Sequence, residues 1–119
     1  MVKEYIDKMA VKGFIRFSSS PYTAPVLVIK KFEGELRICI NYRVFNTLTI
    51  KNRNVFLLIK EILSRLYKIK YYSKFDVIAA FNKIRIKEGD KKKTAFLIRY
   101  GFFEYLVIFF GLYNVLGIF

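Results

Sequence analysis

The carboxylate best placed to do chemistry in this sequence is Asp76, which precedes an apolar run over residues 77–81. Residues 71–77 have the composition of a buried strand, and an unpaired carboxylate at the end of such a strand would cost several kcal/mol. A divalent metal ion would compensate this charge, and so would an ion pair with Lys74 or Arg85. The spacing of the residues leaves both alternatives open.

Four basic residues form a second group that could do chemistry. Lys30 and Lys31 end one β-rich run, and Arg37 and Arg43 lie on or just after the next run. The short gap between the two runs contains Gly34, which is typical of a hairpin. A hairpin would bring the charges together, and lysine combined with bidentate arginine suits a phosphate group. A solvated basic face is the alternative interpretation.

Two further sets of residues have plain structural interpretations. Lys91, Lys92 and Lys93 follow a Gly-Asp turn signal, and we predict a solvated loop that adds at most non-specific attraction for phosphate. Phe81 and Phe110 have no periodicity that separates them from the other phenylalanines, so the pattern alone assigns both to the core.

Composition excludes several kinds of site. The 119 residues include no histidine and a single cysteine, Cys39, which removes the commonest metal ligand, an internal disulfide and any cysteine-cluster zinc site. The length is that of one small domain, and a hydrophobic content of 55% argues against intrinsic disorder. The 22 Lys and Arg against 9 Asp and Glu give a net charge of +13. That charge favours a polyanionic partner, either nucleic acid or an acidic membrane surface.

Targeting signals are absent from the pattern. Lys3, Glu4, Asp7 and Lys8 stand where a signal peptide would need an apolar segment, so we expect an intracellular protein. The longest charge-free stretch, residues 105–119, is shorter than the ~20 apolar residues that span a bilayer. It also lacks a basic amphipathic pattern, so we expect no membrane association.

Periodicity predicts a mixture of helices and hairpins. The predicted elements are helices over 3–12 and 57–66, strands over 26–31, 36–40, 71–77 and 83–87, and a hairpin of 94–100 with 102–110 about Gly101. Gly13 is a candidate C-cap for the first helix. Because helices and strands are mixed rather than alternating, we predict an α+β fold.

The order of short motifs adds a family resemblance that covers nearly the whole chain. The motifs include Lys12-Gly13-Phe14-Ile15-Arg16, Ser18-Ser19-Ser20-Pro21, Leu36-Arg37-Ile38-Cys39, Tyr42-Arg43, Phe75-Asp76-Val77, Lys93-Thr94-Ala95-Phe96, Arg99-Tyr100-Gly101 and Phe110-Gly111-Leu112. In this order they resemble the reverse transcriptase of gypsy-type LTR retrotransposons. The resemblance implies an RNA-directed DNA polymerase with the right-hand fingers and palm fold. It implies a partial reverse transcriptase domain over 1–119, in which 1–50 and 84–109 are fingers and 51–83 and 110–119 are palm.

The resemblance also implies roles for individual residues. Asp76 matches the first catalytic aspartate, which holds two Mg²⁺ ions, and the main-chain carbonyl of Val77 matches a further metal ligand. Arg37 with Lys30, or with Lys31 because the hairpin length leaves the register open, matches the residues that grip the incoming triphosphate. Phe81 matches the bulky residue under the sugar that rejects a 2′-OH, and Phe110 matches a residue of the nucleotide and template pocket. The implied partners are a dNTP and an RNA or DNA template-primer.

One expected motif is not in the sequence. The family's second catalytic motif, aromatic-x-Asp-Asp, lies C-terminal to all the matching motifs, and no Asp-Asp pair occurs in these 119 residues. We therefore expect a segment truncated before that motif, which needs the remaining palm, the thumb and the RNase H regions and does not extend a primer alone. A non-enzymatic basic module that binds RNA or DNA is the alternative.

Overall fold

The computed structural model describes residues 1–34, 36–52 and 58–115. In chain order the elements are α1 (Val2–Val11), β1 (Ile15–Phe17), β2 (Ala24–Lys30), β3 (Leu36–Ile40), α2 (Arg43–Leu48), α3 (Ile59–Leu66), 3₁₀ helices at Ala80–Lys83 and Glu88–Thr94, β4 (Phe96–Ile98) and β5 (Gly101–Tyr105). The predicted α+β class is confirmed. The two predicted helices and the two predicted hairpins are present, but the strand predicted over 102–110 ends at Tyr105, and residue 57 of the second predicted helix lies outside the described residues. Helix α2 was not predicted.

One five-stranded sheet, in the order β1-β5-β4-β2-β3, joins distant parts of the chain. The β4–β5 hairpin and the β2–β3 hairpin are antiparallel, and β1 pairs with β5 through the register Ile15↔Tyr105. The two hairpins meet where β2 and β4 pair in parallel, Ala24 beside Phe96 and Pro25 beside Leu97. The sheet is therefore built from residues before position 41 and after position 95.

Aromatic rings form the centre of the core. Phe96 and Tyr105 are both 1% exposed, and their ring centroids lie 5.2 Å apart. Tyr105 also stacks on Phe109 at 4.4 Å. Helix α1 packs on this cluster through Ile6, which is 5% exposed. Aromatic pairs at these separations add packing energy beyond the area that they bury.

Two buried tyrosines make the folded chain less stable at alkaline pH. Burial raises the pKa of the Tyr42 and Tyr105 hydroxyls above the ordinary value of 10.0. In the unfolded chain both hydroxyls ionise near pH 10, whereas in the folded chain they stay protonated, so the unfolded state gains stability as the pH rises further. We expect the free energy of unfolding to fall above pH 10 by about 1.4 kcal/mol per pH unit for each tyrosine.

Circular dichroism and tyrosinate absorbance, followed together through an alkaline titration, check this expectation. Tyr42→Phe should make the decline shallower above pH 10. An equal slope in this variant would contradict the assignment.

Gly13 ends α1 in a left-handed conformation. Its φ is +67°, its N–H donates to the carbonyl of Ala10 at 2.9 Å, and the N–H of Phe14 donates to the carbonyl of Met9 at 3.0 Å. This pair of hydrogen bonds is a Schellman motif, which satisfies carbonyls that the helix leaves unpaired. The predicted C-cap is confirmed.

Gly13→Ala is expected to lower the free energy of unfolding by about 1 kcal/mol, because an added Cβ is strained at this φ. A Cβ at Gly13 would meet no atom within 4 Å, so the cost is that of the backbone alone. Gly89→Ala is the matched control, since its Cβ is equally free of contacts and its φ lies outside the left-handed region. We expect that variant to be neutral or slightly stabilising. Urea unfolding of both variants measures the difference.

Three sequence predictions are corrected by the structure. Residues 71–77 form no strand, and the side chains of 71–79 are exposed. A strand needs an edge to pair with, and no described strand pairs with this segment. Residues 83–87 keep the predicted alternation of exposed Lys and Arg with half-buried Ile, but they form only an isolated bridge, Arg85↔Val107. Lys91 is 7% exposed rather than solvated, because it lies in a 3₁₀ helix and pairs with Glu88.

Within the described segments, no helix has both the length and the apolar character that crossing a bilayer requires.

Candidate nucleotide-binding site

Four of the residues selected from the sequence line one cavity of about 350 Å³. Asp76, Val77, Phe81 and Phe110 lie in its wall, together with Ala79, Ala80 and Asn82. These residues come from a segment of irregular chain, from the 3₁₀ helix Ala80–Lys83 and from the chain after β5. The cavity therefore joins parts of the sequence that lie about thirty positions apart.

Arg37 approaches this cavity from the β2–β3 hairpin. The rings of Phe81 and Phe110 meet edge to face at 4.6 Å between centroids, and the Arg37 guanidinium carbon lies 5.6 Å from the centre of the Phe110 ring. A guanidinium at this distance is held by the negative face of the ring. Phe110 is 52% exposed and Phe81 is half-buried, so assigning these two rings to the core was wrong.

The strand register separates the two lysines of the hairpin. Lys30 pairs with Leu36, and Ile29 pairs with Arg37. Directly paired residues share a face of the sheet and successive residues alternate, so Lys30 and Arg37 lie on opposite faces. Lys31 follows the last residue of β2 and accepts a turn hydrogen bond from the N–H of Gly34 at 3.0 Å, so the register does not assign it to the face opposite Arg37. Arg43, the fourth basic residue, is exposed at the start of α2.

Asp76 is exposed rather than buried. An exposed carboxylate keeps its hydration and needs no compensating partner, so the predicted burial and its energetic cost were wrong. No described lysine or arginine forms an ion pair with Asp76, neither Lys74 nor Arg85. The carboxylate is thus available at the mouth of the cavity.

Ala79 adopts a left-handed conformation in the wall of the cavity. Its φ and ψ are +50° and +42°, and it precedes the 3₁₀ helix Ala80–Lys83. Its carbonyl accepts a hydrogen bond from the N–H of Asn82 at 3.0 Å. For a residue with a Cβ this conformation costs about 1 kcal/mol, and such strain is concentrated at functional sites. An alanine among apolar neighbours gave no sequence signal of it.

The donor set around Asp76 does not fit a complete metal site. Across residues 1–34, 36–52 and 58–115, no group of three or more Cys, Asp and Glu side chains could hold a metal ion. Asp76 offers one carboxylate and Val77 one carbonyl, and a two-metal centre needs further carboxylates to bind its ions. The described residues therefore do not by themselves form a two-metal centre.

A second cavity, of about 490 Å³, is lined by Glu104, a buried carboxylate that was not predicted from the sequence. Glu104 is 4% exposed, and it accepts hydrogen bonds from Arg16 Nε at 2.7 Å and from Ser18 Oγ at 2.6 Å. Lys91, and to a lesser extent Arg16, hold the pKa of the neighbouring Glu88 below its ordinary value. In an alternating strand, Glu104 looks like a solvent-facing residue, so the pattern gives no signal of its burial. Arg16, which lines this cavity, is paired with both Glu104 and Glu88.

Most of the chain matches the sequence model of a known protein family. The family described as "Reverse transcriptase (RNA-dependent DNA polymerase)" matches residues 29–119. That range contains every residue that lines the cavity and Arg37.

Individual relatives and solved structures agree with this match. The chain is 36% identical, over 95% of its length, to the retrovirus-related Pol polyprotein from transposon 297 of Drosophila melanogaster, and it spans 11% of that relative. It is 38% identical, over 73% of its length, to an RNA-directed DNA polymerase homolog from Oenothera berteroana, 61% of which is covered. A foamy viral protease-reverse transcriptase in complex with double-stranded DNA shares the fold, with a TM-score of 0.84 over 99% of this chain and 21% of that chain, at 22% identity.

Proposed function

The chain belongs to the reverse transcriptase family, and we propose that it supplies the fingers and part of the palm of a retrotransposon enzyme that copies RNA into DNA. The observation that carries this proposal is that Asp76, Phe81 and Phe110 line one cavity, with the Arg37 guanidinium over the ring of Phe110. These side chains come from three separate parts of the chain. A basic module that bound nucleic acid only through its surface charge would not need them together.

We assign residues 1–50 and 84–109 to the fingers and residues 51–83 and 110–119 to the palm. All five strands of the sheet lie in the two fingers segments, and the palm segments contribute Asp76, Phe81 and Phe110. Residues 35, 53–57 and 116–119 lie outside the described chain, so this support comes from the rest. The nucleotide cavity would then lie at the border of fingers and palm.

We propose that the incoming dNTP binds with its phosphates toward the hairpin and its sugar toward Phe81. The Arg37 guanidinium presents a planar fork of donors that matches phosphate oxygens, and the ring of Phe110 orients that fork. We propose Lys31 rather than Lys30 as the second cation, because Lys30 lies on the face of the hairpin opposite Arg37. A bulky ring at Phe81 would leave no room for a 2′-OH, which selects deoxynucleotides.

Reverse transcriptases are generally dependent on divalent metal ions, and we propose Mg²⁺ as the ion here. Asp76 and the carbonyl of Val77 would be two of its ligands, while the other carboxylates would have to come from outside these 119 residues. When bound, the ions supply charge stabilisation for phosphoryl transfer. The residues of this chain position the nucleotide and the template-primer.

The net charge of +13 supports binding to the template-primer backbone. Contacts to phosphates position a duplex without reading its sequence, and their strength falls steeply with added salt. We therefore expect the chain to bind an RNA–DNA hybrid with little sequence preference.

A chimera tests the proposed function. Residues 1–119 would replace the matching segment of the transposon 297 polyprotein, and extension of a DNA primer on an RNA template would be compared with the parent protein. Retained extension supports the proposal, and the 119-residue chain alone should extend nothing. A chimera that folds and binds the hybrid but adds no nucleotide, beside an active parent, would favour the binding module.

A further inference from the structure

The side-chain amide of Asn46 holds the backbone just after Phe110. Its Nδ2 donates to the carbonyl of Gly111 at 2.7 Å, and its Oδ1 accepts from the N–H of Tyr113 at 2.9 Å. We propose that Asn46 is a positioning residue for nucleotide binding, one that fixes the ring of Phe110 against Phe81 and beneath Arg37. This inference rests on the proposed function of the cavity.

These two hydrogen bonds of the Asn46 side chain form a clamp, and the helix that carries Asn46 is anchored in the core. Asn46 lies on α2, and its N–H donates to the carbonyl of Tyr42 at 2.8 Å. Tyr42 is 2% exposed, and its hydroxyl donates to the carbonyl of Thr94 at 2.7 Å. The amide of Asn46 therefore has a fixed position relative to the sheet.

The segment that Asn46 holds has no secondary structure of its own, and its other contacts include the packing of Phe109 and Leu112 on the core and a hydrogen bond from the N–H of Ile108 to the carbonyl of Ile84. Residues 108–114 belong to no helix or strand, and Gly111 has a φ of +107°, which reverses the chain direction immediately after Phe110. A second amide, that of Asn114, donates to the carbonyl of Ile50 at 2.9 Å and accepts from the N–H of Asn52 at 2.8 Å. Two asparagines thus bind the two ends of the segment over 111–114.

A side-chain amide suits position 46 because it offers a donor and an acceptor on two atoms bonded to the same carbon. Aspartate keeps the acceptor for the N–H of Tyr113, but it would set a negative oxygen 2.7 Å from the carbonyl oxygen of Gly111. Alanine removes both hydrogen bonds and leaves the polar groups of the segment to water. The two substitutions therefore separate loss of the clamp from repulsion within it.

The experiment uses the 119-residue chain with a fluorescent dNTP and, separately, an RNA–DNA hybrid. Asn46→Ala is expected to weaken dNTP binding roughly tenfold, the equivalent of one to two ordinary hydrogen bonds. Asn46→Asp should weaken it at least as much, and hybrid affinity should change less than about twofold in both variants. Amide hydrogen exchange at Tyr113 should become faster, and the nuclear Overhauser contacts between Phe81 and Phe110 should weaken.

Two control variants identify a merely structural role. Thr47→Ala changes the next residue of α2, whose hydroxyl bonds only to the carbonyl of Val44 within the helix. Ser18→Ala removes the hydrogen bonds that the Ser18 hydroxyl makes with Glu104 and with the N–H of Ser20, both away from the nucleotide cavity. This variant controls for a general loss of stability. Both should bind the dNTP like the unchanged chain.

Each outcome decides the inference. Unchanged exchange at Tyr113, or an unchanged ring contact in Asn46→Ala, would overturn it, as would equal losses of dNTP affinity in Ser18→Ala. If the unchanged chain binds no dNTP, the proposed nucleotide role fails. The exchange and ring-contact measurements then still decide whether Asn46 positions Phe110.

Discussion

Asp76→Asn in the active chimera is expected to lower RNA-templated primer extension by more than about 100-fold, with hybrid affinity within about twofold of the unchanged protein. The substitution keeps the size and the exposed position of the side chain but removes its negative charge, and an amide is a far weaker ligand for Mg²⁺. Groups that merely orient a metal ligand commonly contribute 10–100-fold, so loss of a ligand should exceed that range. Single-turnover extension and hybrid binding by fluorescence polarisation measure the two effects separately.

Asp90→Asn is the matched control for this prediction. Asp90 is also a solvent-accessible aspartate, but its carboxylate pairs with Lys93 at 2.6 Å in the 3₁₀ helix Glu88–Thr94 and takes no part in the cavity. Extension should be unchanged in this variant. Equal extension by Asp76→Asn and the unchanged chimera would mean that Asp76 is not catalytic, which is the behaviour expected of a pure binding module.

Arg37→Ala is expected to raise the dNTP concentration needed for half-maximal extension by about 10- to 100-fold. A hydrogen bond to a charged group contributes about 1.5–3 kcal/mol, and a bidentate arginine–phosphate contact lies at or above that range. The maximal rate at saturating dNTP should fall much less, because the loss is one of binding. Steady-state extension over a range of dNTP concentrations separates the two parameters.

Three further variants identify which property of the hairpin matters. Arg37→Lys keeps the charge but loses the planar fork over Phe110, so an intermediate loss is expected. Lys31→Ala should weaken dNTP binding, whereas Lys30→Ala, on the opposite face, should leave it nearly unchanged. If Lys30→Ala weakened dNTP binding and Lys31→Ala did not, Lys30 rather than Lys31 would be the second phosphate-binding cation.

Local patterns predicted the hairpins and helices because their causes are local. The glycine between two β-rich runs and the left-handed Gly13 after α1 act over a few residues. The strand predicted over 71–77 was wrong because a strand needs the edge of another strand to pair with. The composition of 71–77 cannot reveal whether such an edge is available. The burial of Glu104 was not predicted because its partners Arg16 and Ser18 lie 88 and 86 positions away. The burial of Lys91 was not predicted because the segment was interpreted as a solvated loop, whereas it forms a 3₁₀ helix in which Lys91 pairs with Glu88.

The candidate site was predictable in its residues but not in its geometry. Family resemblance selected Asp76, Phe81 and Phe110, yet it left the choice between Lys30 and Lys31 open. That choice needed the register of β2 against β3, which the loop length alone does not determine. The strained Ala79 and the clamp at Asn46 had no sequence signal, because each is defined by backbone conformation or by a contact over 65 or more positions.

The attachment of the β2–β3 hairpin has a mechanical consequence. Only two residue pairs, at Ala24 and Pro25, join it to β4, whereas five pairs run along the hairpin from Val26 to Lys30. The hairpin is therefore attached at one end, and the Ile29–Arg37 pair lies about 13 Å beyond this attachment at ~3.3 Å per residue. A tilt of the hairpin by about 10° at Ala24 and Pro25 would move the Ile29–Arg37 pair by about 2 Å, enough to make or break a hydrogen bond. At the proposed nucleotide site, a small bend at these two residue pairs would therefore change the distance between the Arg37 guanidinium and a bound phosphate.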